Sequence, residues 1–166
     1  MRTQTRTAPE ATGRPRTVDA AFLLLLAVFA LDAVTWVLGV FVIAPTGLDS
    51  MREASGEAGA LRQAAVSGAF TLATTALGVL VAVLVRQGHG WARLVVVAAA
   101  ALVAALDVLT FSMDGPAAFT GLSAYELLRD LVPVLLGVGA LVCLFLPASN
   151  AYFADRGRAR RGRPPA

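Results

Sequence analysis

The chain has 166 residues, of which 57% are hydrophobic and only 15% charged, with a formal net charge of +3. That balance is too apolar for a soluble domain of ordinary make-up, and the length leaves no room for a second, globular domain. All fourteen basic residues are arginine, and their grouping at the ends and joints of apolar stretches follows the positive-inside rule, so no nucleic-acid partner is expected.

Residues 1–17, rich in Thr, Arg and Pro and without an apolar period, read as a disordered cytoplasmic tail. Four apolar stretches follow, from Val18 to Ala44, Ala64 to Val85, Leu94 to Met113 and Leu127 to Leu146. Each approaches the ~20 residues that a helix needs to cross a ~30 Å hydrocarbon core. The expected fold class is therefore all-α, a polytopic membrane protein whose residues 18–146 form a four-helix bundle. Residues 147–166 form an Arg-rich tail. The first stretch exceeds the apolar core of a signal peptide and no clear A-x-A site follows it, so it reads as a retained anchor.

The joints carry local signals. Between Pro45 and Leu61, Ser50 followed by Glu53 matches a capping box and predicts a short helical turn. Gly56 and Gly59 argue against a long helix there. Gln87-Gly88-His89-Gly90 predicts a tight turn that makes spans two and three an antiparallel hairpin. Gly115-Pro116 and Gly121 predict turns before the fourth span. Trp91, Tyr125, Tyr152 and Phe153 stand at span ends, where aromatic rings favour the membrane–water boundary.

If the chain crosses four times, every arginine except Arg52, Arg62 and Arg129 falls on one side. This places both termini in the cytoplasm of a chain held in the plasma (inner) membrane. The arginines from Arg156 to Arg163 suit anionic lipid, at about 1 kcal/mol for each one near the surface.

Two spans contain an acidic residue in a similar setting. Leu31-Asp32-Ala33-Val34-Thr35-Trp36 and Leu106-Asp107-Val108-Leu109-Thr110-Phe111 both read L-D-x-x-T-aromatic. Counted from Arg16 and Arg93, both aspartates lie ~20 Å deep at 1.5 Å per residue, which suggests a duplicated hairpin. A carboxylate at such depth costs ~2.5–3.5 kcal/mol on insertion scales and should turn away from lipid. The candidate site is a polar cluster of Asp32, Asp107, Arg129, Asp130, Thr35 and Thr110, with Arg129 as the expected partner of Asp32 and Asp107. Thr35 and Thr110 follow their aspartates by three residues and share their helix faces. Ser67, Thr71 and Thr75 add a hydroxyl stripe on the second span. The three aspartates exceed the one arginine by two charges, so desolvation and like-charge repulsion should keep at least one aspartate protonated at pH 7.

Other features are plainer. One histidine, His89, and one cysteine, Cys143, allow neither a histidine metal cluster nor an intramolecular disulfide, so no metal or other cofactor is expected. Pro133 is expected to kink the fourth span, with Gly137 and Gly139 serving close helix packing.

Gly90-Trp91-Ala92-Arg93, the run from Leu146 to Phe153 and the lead from Arg14 to Asp19 resemble small four-span integral membrane proteins of actinobacterial type. That resemblance implies a fold and a cellular place, and no activity. The functional expectation is a non-enzymatic membrane protein acting as an accessory subunit or through partners, a second copy or another membrane protein. The alternative is a small oligomeric proton-coupled transporter or channel-like protein using Asp32 and Asp107.

Overall fold

A computed structural model describes residues 15–43, 45–114 and 123–161. The expected tail before Pro15, the turns at Gly115-Pro116 and Gly121, and the chain end after Arg161 lie outside them.

Helix α1 spans Arg16–Phe41 and begins where Val18 donates its N–H to the Pro15 carbonyl. It ends where Val42 and Ile43 both turn back to the Leu38 carbonyl. Helix α2, Gly47–Arg86, starts one turn earlier than the sequence signals. The capping box is Thr46 with Asp49, whose N–H donates to the Thr46 hydroxyl at 3.0 Å, and not Ser50 with Glu53. Ser50 already lies inside the helix and donates to the Thr46 carbonyl. Gly56 breaks the regular winding at φ 72 and ψ 176, a conformation that lacks a steric penalty only in glycine. The joint after the first span is thus mostly helical, with one kink at Gly56.

Gly88, at φ 82, turns the chain into α3, Gly90–Asp114, and spans two and three form the expected hairpin. The fourth span opens with α4, Ala124–Glu126, capped by Ser123 and Glu126. A π turn over Leu127–Leu131 follows, then α5 over Val132–Phe145. Pro133 explains the π turn. It has no N–H for the Arg129 carbonyl, and its ring crowds that carbonyl. The backbone widens ahead of it, and Val132 bonds to the Leu127 carbonyl. The tail that follows is also helical, as α6 over Pro147–Arg161.

Among the described residues, four helices are long and apolar enough to cross a membrane: Arg16–Phe41, Gly47–Arg86, Gly90–Leu109 and Ala124–Phe145. The molecule is an all-α bundle of multi-pass membrane character. Helix α1 sits at its centre, packed between α2 and α5.

The core lies at the end where α1 begins. Val18, Ala21, Val85, Ala92, Leu144 and Phe153 form one buried layer, and Leu25, Ala82 and Ala140 form the next. Helix α6 folds over this end. Its fully buried Ser149 donates to the Cys143 carbonyl at 2.7 Å and stands 2.8 Å from the Thr17 hydroxyl. Arg93 donates to Asn150 at 2.7 Å and lies over the Phe145 and Phe153 rings. Arg86 pairs with Asp19 at 3.1 Å. Phe153 is therefore a core residue rather than a boundary ring.

Toward the other end, aromatic side chains fill the places that glycines leave. The Phe29 ring occupies the side-chain position at Gly78, the Trp36 indole that at Gly68, and the Tyr125 hydroxyl that at Gly39. These are the close helix contacts. Gly139 only meets Leu24 at 3.4 Å, and nothing stands within 4 Å of a side chain at Gly137, so the packing role expected there falls elsewhere. Helix α3 diverges from its neighbours, with every residue from 101 to 109 exposed.

Candidate functional site

The open end holds a cleft of about 440 Å³ between α1, α2 and the head of the fourth span. Asp32, Thr35 and Trp36 line it from α1, Thr71 from α2, Tyr125 from α4 and Arg129 from the π turn. Gly39, Val40, Ile43, Pro45 and Gly47 extend it toward the α1–α2 joint.

Each wall has a local cause. Tyr125 donates its hydroxyl to the Thr35 carbonyl at 2.8 Å, which pins the start of the fourth span to α1. A side chain at position 39 would block that approach, so Gly39 permits it. The Thr35 hydroxyl is spent on its own helix, donating to the Leu31 carbonyl at 2.9 Å and the Asp32 carbonyl at 3.1 Å. Buried and satisfied, Thr35 shapes the wall and holds no free donor. Arg129 stands 5.9 Å from the Tyr125 ring centre, and the π turn sets its direction.

The ion pair is not the expected one. Arg129 grips its neighbour Asp130 with two parallel bonds, Nε to one carboxylate oxygen at 2.8 Å and the terminal nitrogen to the other at 3.0 Å. Two adjacent residues on an α-helix point about 100° apart. The wider π turn accompanies their meeting. Asp32 shares the cleft with Arg129, yet its carboxylate has neither a hydrogen bond nor an ion pair among the described residues.

The other expected members separate from this group. Asp107 lies exposed on the diverging part of α3, with no polar partner among the described residues, and does not line the cleft. The side chain of Thr110 lies outside the described residues. Hence the two aspartates differ in setting: Asp32, exposed to the cleft, is on the central helix α1, and Asp107 is on the exposed part of α3. In the hydroxyl stripe, Ser67 bonds back to the Ala64 carbonyl, Thr71 reaches the cleft, and Thr75 has a buried hydroxyl without a partner among the described residues.

A second, apolar groove of about 510 Å³ lies beside the cleft. Val37, Phe41, Leu61, Ala65, Gly68 and Leu72 belong to it, and Trp36 and Thr71 line both spaces. Trp36 therefore borders both the cleft that holds Asp32 and Arg129 and a groove of apolar side chains. The sequence marks Trp36 as the aromatic of its L-D-x-x-T segment but not as part of the site, because Gly68, its counterpart, is distant in the chain.

Among the described residues, no group of three His, Cys, Asp or Glu side chains is placed to hold a metal ion. Chemically, the cleft offers one unpaired carboxylate, one compensated guanidinium and an aromatic wall. No family model, curated protein or solved structure matches the chain.

Proposed function

We propose that this chain is a non-enzymatic protein of the plasma (inner) membrane, both termini cytoplasmic, that works as an accessory subunit through a partner helix. The observation that carries this reading is α3. Its residues 101–109 are all exposed, and Asp107 sits among them without a polar partner among the described residues. A carboxylate facing hydrocarbon is costly, so in the membrane Asp107 calls for a neighbour that brings a basic or hydroxyl group. A second copy or another membrane protein meets that need. The arginine bias supports the orientation. Exposed Arg156 and Arg158 on α6 suit anionic lipid at the cytoplasmic surface.

Photo-crosslinking from Val103 and Val108 in native membranes tests the reading. One discrete protein adduct, lost on Asp107→Asn, is the expected result. Lipid adducts alone would overturn it.

The cleft favours a second reading, a small oligomeric transporter coupled to protons through Asp32. Acid-dependent uptake abolished by Asp32→Asn is its requirement.

A further inference from the structure

We infer that the cleft at Asp32 is a binding site for a hydrophobic organic ammonium ion, its charge on Asp32 and its apolar body against Trp36. The inference rests on the cleft alone and stands apart from the partner reading of α3. For the transport reading it would name the substrate class.

The sign of the ligand follows from how the charges are spent. Asp130 takes two bonds from Arg129, so the guanidinium is compensated before any ligand arrives. An anion would meet a guanidinium whose charge is already balanced. Asp32 has no such partner, and the Thr35 hydroxyl beside it is turned to the backbone. With the Asp32 carboxyl ionised, the cleft carries one uncompensated negative charge.

The class of cation follows from the walls. A bare metal ion takes several oxygen ligands at short distances, and a single carboxylate without a neighbouring acidic group is a poor cage. A volume of about 440 Å³ lies within the range of pockets that enclose small organic molecules. Trp36 lines the same space, and an aromatic ring is a surface that ammonium groups prefer. Past Trp36 and Thr71 the apolar groove with Val37, Leu61 and Leu72 begins, a continuation fit for a hydrocarbon or aryl body. A cleft with one ionisable carboxylate, sharing an aromatic residue with an apolar groove, is complementary to an amphiphilic amine.

The test uses the whole chain in nanodiscs of zwitterionic lipid, with Trp91→Phe leaving Trp36 as the only tryptophan of the two. The probes are benzyltriethylammonium and, as the anion, benzenesulfonate. The expected result is a saturable change in Trp36 emission with the cation and none with the anion. Affinity should fall about tenfold or more in Asp32→Asn, equivalent to about 1.4 kcal/mol, and survive in Asp32→Glu and Asp107→Asn. It should also weaken on acidification, because protonating the carboxylate removes the charge that the cation needs.

Equal binding by Asp32→Asn would overturn the inference, as would tighter binding of benzenesulfonate. No saturable response from a chain whose helical circular dichroism and unfolding midpoint match the parent would overturn it too. Binding without uptake would support the site and count against the transport reading alone.

Discussion

The Trp36 indole lies where a side chain at Gly68 would stand, its nearest carbon 2.8 Å from the position of the missing Cβ. This contact joins α1 to α2 at the height where the bundle opens, and Trp36 borders both the cleft and the apolar groove. Gly68→Val should therefore push the indole out and destabilise the protein by about 1–3 kcal/mol, the usual effect of overpacking. Thermal unfolding gives the loss, and a shift in Trp36 emission shows its origin. Gly137→Ala is the counter-case. With nothing within 4 Å, it should stabilise α5 by about 0.5–1 kcal/mol through helix propensity.

Ser149 ties α6 to the closed end. Its hydroxyl satisfies the Cys143 carbonyl, one of the last in α5, and meets Thr17 at the start of α1. Ser149→Ala leaves these buried groups short of a partner and should lower stability by about 1–3 kcal/mol. Protease sensitivity at α6 should rise with it.

Pro133→Ala restores an N–H opposite the Arg129 carbonyl. The π turn should relax toward regular α-helix, and amide exchange from Leu131 to Gly137 should slow. Because the turn directs Arg129 toward the cleft, the change should also alter the environment of Trp36.

The Arg129–Asp130 pair is half exposed, at 52% and 58% of the side-chain surfaces. Arg129→Gln should thus change stability by only about 0–1 kcal/mol, as for surface pairs. A loss of 3 kcal/mol or more, typical when a buried pair is broken, would assign this pair a place inside the fold.

How much of this was legible in the chain depends on which interactions decide each feature. The spans were legible because twenty-residue apolar runs satisfy a membrane's demand by length alone, and the Gly88 hairpin because its turn chemistry is local. The start of α2 was misplaced by one turn, since Thr46-Asp49 and Ser50-Glu53 are both acceptable capping pairs and the earlier one wins. Helix α6 escaped notice because its burial is tertiary: Phe153 and Ser149 are core residues only after the tail folds back. Asp32 and Asp107 looked equivalent because depth follows from counting residues. Which helix leaves the bundle does not, since spans apolar on every face carry no periodic signal of their neighbours.

On the proposed reading, Asp32 and Asp107 serve binding and not the stability of the fold. Thermal unfolding of Asp32→Asn and Asp107→Asn, in nanodiscs holding one copy, tests it most directly. Neither carboxylate has a partner among the described residues, so both variants should unfold at the parent temperature or above it. A midpoint lowered by several degrees, on the order of 1–2 kcal/mol for a chain of this size, would make the carboxylates structural and contradict the account.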